Sequence, residues 1–331
     1  MFNLKELFAG KIDFIEAAIE EVDTKGVHSI LSLPTKYAIS SGGKHLRPII
    51  CTLSAEVVGG DYRRTSDAFL ALELIHNGTL VHDDILDDDL FRRGRSATHL
   101  KFGGKTAILA GDALLSLGLK YAAKTKETSV VDWLSETALK ILQGVVLQTF
   151  YRRKLVPEEE YLVINYLKSG SLFEASAALG GIMGAADPES TRELAEFGRH
   201  FGNAYQIRDD ICGVFSENRD DDLSRNDLVN GDISLPLIYA LESKSIRDGD
   251  RRTLMSIYLG EAEKADIGLV QEIYEETGAL GRCVEKMNEF AELGRSHLGR
   301  FEATEAKGFL HHLIDEYYRD FTPGLAPRII V

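Results

Sequence analysis

Along most of the chain, apolar residues return every three or four positions rather than every second one. Phe69, Leu72 and Ile75 do so, as do Leu139, Leu142, Val145 and Val146; this is the pattern of helices with one buried face. Proline is absent from Ile49 to Val156, so nothing in that stretch removes a backbone donor from a helix. Helix starts are marked by Thr65 or Ser66 before a helix over Asp67–Val81 and by Asp187-Pro188 before one over Glu189–Phe215. Ser234 with Pro236 marks a shorter one. No series of short alternating strands is evident. The polar run Ser216–Asp232 reads as the one long loop between helices. With no internal repeat and no linker, the pattern predicts an all-α fold, one domain over residues 1–331, built as a bundle of about ten or more helices.

Composition narrows the function. The 331 residues are 44% hydrophobic and carry a formal net charge of -14, which disfavours nucleic acid and anionic lipid as partners. A protein this acidic that handles anionic substrates must gather cations locally, as Lys/Arg clusters or as bound metal. The three cysteines, Cys51, Cys212 and Cys283, form no CxxC pair and read as reduced core residues. Met1–Glu21 carries charges throughout and lacks the features of a signal peptide. The longest apolar stretch, Ser171–Ala186, is short for a membrane span and contains Glu174. The expectation is a soluble, cytoplasmic protein with no transmembrane segment.

The strongest local signal is His82-Asp83-Asp84-Ile85-Leu86-Asp87-Asp88-Asp89, followed by Arg92-Arg93-Gly94-Arg95. On a helix Asp83 and Asp87 share one face, with His76, Thr79 and Leu80 on the turns before them. Like charges at that spacing cost about 0.2–0.5 kcal/mol per pair, a penalty that a hard cation such as Mg²⁺ removes. The alternative is a solvated acidic helix whose last turn is complemented by Arg92 and Arg93 before Gly94 stops it. A second acidic pair, Asp209-Asp210, follows Gln206 by one turn among Tyr205, Ile207 and Ile211. Two such pairs on separate helices suggest carboxylates facing one another around metal. Gly42-Gly43-Lys44-His45-Leu46-Arg47-Pro48 puts two cations one turn apart at a helix start, either a diphosphate site or a turn with ordinary surface charges. Lys168-Ser169-Gly170-Ser171 reads as a similar polar break between helices.

Taken together and in order, these segments resemble the trans-type polyprenyl diphosphate synthases, the family of farnesyl and geranylgeranyl diphosphate synthases. GGKHLRP is similar to the family's GGKxxRP, and Glu73–Gly94 to its first aspartate-rich motif, with Asp83, Asp84 and Asp87 in the DDxxD positions. Ala107–Leu115 (AILAGDALL) is another family segment. Lys168–Ser176 is similar to KTxxLFxA, and Gly202–Ile211 to the start of the second aspartate-rich motif. The resemblance implies an all-α, usually dimeric enzyme with a central cavity. It implies Mg²⁺ held by Asp83, Asp84, Asp87, Asp209 and Asp210, and an allylic diphosphate bound by Arg92, Lys168, Ser169 and Gln206. Asp83, Asp87, Arg92 and Lys168 would be the catalytic residues. Lys44, Arg47, His76 and Arg93 would hold isopentenyl diphosphate. In such a family the residues before the first acid pair line the pocket for the growing tail, here Ile75, Gly78 and Thr79. The small Gly78 and Thr79 imply a product of geranylgeranyl length or longer, unless a bulky residue from another helix closes the pocket.

The chain departs from the family pattern at the second motif, which ends in Gly213 instead of aspartate. Asp222 and Asp232 stand where lysines are usual, and Ser96-Ala97 replaces Pro-Thr after the arginine pair. These departures keep two alternatives in view: a noncatalytic subunit of a heteromeric synthase, and a class I terpene cyclase. The first has little need of a complete first motif, and the second has none for Lys44, Arg47, His76 and Arg93.

Overall fold

The computed structural model describes residues 8–40, 43–214, 227–262 and 265–319. Two helices buried on nearly every side along most of their length form the middle of the bundle. One is α4 (Ser66–Leu86), preceded by α1 (Ala9–Glu20), α2 (Ser29–Ile39) and α3 (Leu46–Val57). The other is α9 (Ser171–Met183), preceded by α5 (Thr98–Phe102), α6 (Gly104–Lys124), α7 (Thr128–Tyr151) and α8 (Glu158–Asn165). Helix α4 lies along α6, while α9 lies between α3 and α10 (Pro188–Val214). Beyond α10 come the single turn α11 (Asp227–Asn230), α12 (Leu235–Glu242), α13 (Asp248–Tyr258), α14 (Ile267–Glu276), α15 (Ala279–Leu298) and α16 (Glu305–Ile314).

Helix α10 starts where its cap requires, since Asp187 Oδ1 accepts from the backbone N–H of Glu189 and of Ser190, both at 2.9 Å. Its approach to α9 depends on Gly198, where a Cβ would lie 2.2 Å from the Phe173 carbonyl oxygen. Around that contact Phe173, Phe197 and Phe201 are buried, each contributing about 1.5–3 kcal/mol by leaving water. Among the described residues no helix is long and apolar enough to cross a membrane.

The structure departs from the expected pattern in four places. First, α4 runs on to Leu86, and the chain then turns at Asp88 (φ 52°) into a two-stranded ribbon, β1 (Phe91–Arg92) and β2 (Arg95–Ser96). Arg93 (φ 52°) and Gly94 (φ 74°) form its two-residue loop, and the primed turns that suit hairpins require this left-handed pair. The arginines therefore sit on a ribbon beyond the helix, not in its last turn. Second, Lys168 and Ser169 lie in a π-helical turn, Tyr166–Gly170, that joins α8 to α9 without a break. Third, the polar run ends in α11; its residues 216–226, Asp222 included, lie outside the described residues. Fourth, Leu139, Leu142 and Val146 form an exposed stripe on α7, continued by Phe150, instead of facing the core.

Candidate active site

The C-terminal turns of α4 carry the first acids. Asp83 Oδ2 lies 3.3 Å from Lys168 Nζ, which also donates to Gln148 Oε1 at 2.6 Å. Asp87 Oδ1 accepts from Arg152 at 2.7 Å. Asp84 sits otherwise: it is buried, accepts from Arg92 Nε at 2.6 Å, and its carboxyl is pushed up by burial against the pull of that guanidinium. Arg92 also donates to Asp89 Oδ2 at 2.6 Å. The ribbon is what returns Arg92 to the helix that precedes it.

Asp209 and Asp210 divide in the same way. Asp209 is open to solvent while protein on all sides pushes its carboxyl up, with Lys44 first and then Arg208 and Arg92 opposing the shift. Asp210 is buried, and Tyr161 Oη (2.8 Å), Gln206 Nε2 (3.0 Å) and the Leu235 backbone N–H (3.3 Å) all donate to it. Burial raises its pKa to about 6, with the neighbouring charge of Asp209 adding to the rise. Of the five acids expected to hold metal, Asp83, Asp87 and Asp209 are presented toward the cationic side chains around them, and Asp84 and Asp210 are committed to internal partners. Ser169 Oγ donates to Gln206 Oε1 at 2.6 Å, so Ser169, Gln206 and Asp210 form one chain of hydrogen bonds.

Several participants escaped the sequence reading. Arg152, at the end of α7, bridges two acids: its Nε donates to Asp232 Oδ1 at 2.9 Å while its terminal nitrogen reaches Asp87. The backbone bond from Arg153 N–H to the Gly231 carbonyl oxygen, 2.7 Å, holds the two segments together. Asp232, at a position where a lysine was expected, is thus supplied with positive charge from a helix 80 residues earlier. Asp227 on α11 joins the same group, its carboxyl pushed well up by burial and then by Asp210, Asp232 and Asp209. No local pattern marks Arg152; it is found only once α7 and the Gly231 turn are brought together. Lys168 sits in the midst of these acids, and although burial opposes its charge, Asp83, Asp87 and Asp232 raise its pKa.

A second cluster is predominantly basic, with Glu73 as its acid. His76 is buried and its pKa lies well below the usual histidine value, through burial first and then the charges of Arg47, Arg93 and Arg92. Arg47 stacks on the Phe173 ring at 4.6 Å from its centroid. Burial lowers the Arg47 pKa, with Glu73 opposing the shift and Arg93 adding to it. The Arg93 guanidinium lies against Gly43, where a Cβ would be 3.1 Å away. Lys44 lies on the Asp209 side, its pKa lowered by burial and by Arg208. Arg47 Nε and His76 Nδ1 are buried with no hydrogen-bond partner. Buried polar atoms are rarely left so, and cations crowded in this way call for an anion.

Of the residues expected to line a tail pocket, Ile75 and Gly78 are buried. A Cβ on Gly78 would meet the Gly111 carbonyl oxygen at 3.0 Å and Leu114 Cβ at 3.3 Å, so its small size serves the packing of α4 on α6. Thr79 is half-buried and its hydroxyl donates to the His76 carbonyl oxygen at 2.8 Å.

Residues 28–277 match the polyprenyl synthetase family model. The chain belongs to the polyprenyl synthetase family. It is 33% identical over 289 residues to the short chain isoprenyl diphosphate synthase of Methanothermobacter thermautotrophicus, covering 85% of this chain and 87% of that one. It is 36% identical to the geranylgeranyl diphosphate synthase of Methanosarcina mazei, covering 73% of this chain and 77% of the relative. Its fold matches geranylgeranyl pyrophosphate synthetase from Pyrococcus horikoshii with a TM-score of 0.85 at 29% identity, covering 96% and 99% of the two chains. It also matches a polyprenyl synthase from Caulobacter crescentus, complexed with calcium and isoprenyl diphosphate, with a TM-score of 0.86 at 25% identity, covering 95% and 96%.

Proposed function

We propose that this polyprenyl synthetase condenses isopentenyl diphosphate with an allylic diphosphate to give a trans-polyprenyl diphosphate of geranylgeranyl length or longer. The observation that carries the reading is the pair of unlike clusters. One mixes acids with cations; the other is predominantly basic and holds the unpartnered buried nitrogens Arg47 Nε and His76 Nδ1. A diphosphate that arrives with metal suits the first, and a diphosphate that binds without metal suits the second.

Asp83, Asp87 and Asp209 offer hard oxygen donors of the kind Mg²⁺ prefers, and Asp84 and Asp210 hold the surrounding donors in place. Bound there, Mg²⁺ would offset the negative charge that collects on the departing diphosphate. Lys168, Arg92 and Arg152 bring positive charge to the same diphosphate, and Ser169 with Gln206 orients it. Lys44, Arg47, His76 and Arg93 hold isopentenyl diphosphate. The allylic C–O bond ionises, the isopentenyl double bond attacks the cation, and a proton passes to the released diphosphate. Apolar walls keep water from the cation.

The exposed stripe Leu139, Leu142, Val146 and Phe150 on α7, together with the exposed Ile108 and Leu109 on α6, supports a homodimer that covers them. The three free cysteines are in keeping with one-domain protein working in the cytoplasm.

The test is incubation with labelled isopentenyl diphosphate, Mg²⁺, and geranyl, farnesyl or geranylgeranyl diphosphate, with chromatography of the dephosphorylated products. Extension that EDTA abolishes is the expected result. Folded protein that extends no starter would overturn the reading in favour of a noncatalytic subunit.

A further inference from the structure

On the side of α10 that faces α15, a second group of chemically active residues stands apart from both diphosphate clusters. The two helices meet at Gly294, where a Cβ would lie 3.5 Å from the Phe197 carbonyl oxygen and 3.5 Å from His200 Cβ. They run antiparallel, because His297 pairs with Glu193 and Arg300 with Glu189. Glu193, Glu196 and His200 follow one another on α10 at spacings of three and four, so they share a face. His297 lies one turn past Gly294 on α15 and comes down onto that face.

The ligand atoms of Glu196, His200 and His297 all lie within 4.8 Å of one another, and each residue is partly open to solvent. The two imidazole rings stack with centroids 5.5 Å apart and an angle of 13° between them. Glu193 Oε2 lies 2.8 Å from His297 Nδ1. A carboxylate on Nδ1 fixes the tautomer and leaves Nε2 as the ligating nitrogen, as in carboxylate–histidine–metal arrangements. His200 Nε2 is 3.8 Å from Glu196 Oε2, and its Nδ1 is buried without a hydrogen-bond partner. Arg199, 3.6 Å from Glu196, and Arg192, 3.8 Å from Glu193, are the cations that compete for these carboxylates.

We propose that Glu196, His200 and His297 form a binding site for one transition-metal ion of the zinc class, with Glu193 as the positioning residue for His297. Two imidazoles and a carboxylate suit Zn²⁺, Co²⁺ or Ni²⁺ over Mg²⁺, so the site is chemically distinct from the all-oxygen acids of the first cluster. Tetrahedral coordination at bond lengths of about 2.0–2.1 Å needs donor atoms about 3.3 Å apart. Donors within 4.8 Å of one another must therefore close by up to about 1.5 Å on binding. The ion ties α15 to α10, the helix that also carries Gln206 and Asp209.

The experiment is equilibrium dialysis of the full chain against Zn²⁺ in a large excess of Mg²⁺, which fills the oxygen sites, followed by Co²⁺ substitution read by visible absorption. One Zn²⁺ per chain is expected, with Co²⁺ showing the intense bands of a low-coordinate nitrogen site. His200→Ala and His297→Ala should each lose that ion. Glu193→Gln should weaken it about ten- to a hundredfold, and all three variants should keep wild-type chain extension. If His297→Ala does not fold, His297→Gln replaces it. Zn²⁺ retained unchanged by the histidine variants, or none retained by the wild type against Mg²⁺, overturns the proposal.

Discussion

At the end of α4, half of the acids find their cation within one short stretch: the ribbon folds Arg92 back onto Asp84 and Asp89, while Asp83 and Asp87 take Lys168 and Arg152 from elsewhere. At the end of α10 and in the segment beyond it the acids are as numerous, with Asp209, Asp210, Asp227 and Asp232, but the compensating charge is brought from afar. Lys44 comes from the start of α3, Lys168 from the π turn and Arg152 from the end of α7. The first region is partly self-contained and the second is wholly assembled. A charge missing from a local motif is therefore not missing from the site, because the fold can return it from another helix.

Mutations break this comparison in a graded way. The largest effect is expected at Asp83, whose replacement by Ala should lower kcat/KM by about a thousandfold or more, near 4 kcal/mol of transition-state stabilisation. Asp209→Ala should follow it. Next comes the assembled charge. Arg152→Ala should cost about ten- to a hundredfold in kcat/KM, and Asp232→Lys, which sets two cations side by side, should cost as much. In the double variant Arg152→Ala/Asp232→Lys, which restores a cation from the other side, activity should recover above either single change. If the two effects simply add, Arg152 is only a structural ion pair.

His76→Ala should raise KM for isopentenyl diphosphate about tenfold, with little change in KM for the allylic substrate; equal changes in both would remove the division between the clusters. At the tail pocket, Thr79→Phe should shorten the product seen by chromatography. Gly78→Ala should chiefly lower Tm, because its Cβ would press on the Gly111 carbonyl oxygen at 3.0 Å. The smallest effect is in pH. Asp210 holds its proton in the folded state to about pH 6, but in the unfolded chain only to about pH 4. Protonation thus favours the fold at low pH, and that contribution is lost as pH rises from about 4 to about 6. Asp210→Asn should flatten the fall in Tm across that window in metal-free protein.

The helical period, the all-α class and the first acid cluster were legible because each is a local property of α4 and its neighbours. The ribbon was not, since Arg92-Arg93-Gly94-Arg95 stops a helix as readily as it turns a hairpin; the left-handed Arg93 decides it. Nor was the division between presented and buried acids, for Asp83 and Asp84 differ only in which side of α4 they occupy. The stripe Leu139, Leu142 and Val146 has the correct period for a core face and yet lies outside. Period reveals that a face is apolar, not what covers it.

The π turn at Tyr166–Gly170 has one more implication. Where one residue too many is wound into a helix, everything after it is rotated by about 100° relative to everything before. Glu158–Asn165 and Ser171–Met183 are thus two helices out of phase that share one axis, with Lys168 at the slip. Deleting one residue there would leave a continuous helix of sound geometry and low strain. It would also realign the two phases, carrying Lys168 away from Asp83 or turning the buried face of α9 away from α3. A change that looks harmless on a secondary-structure diagram would be felt as a rotation through half of the molecule's core.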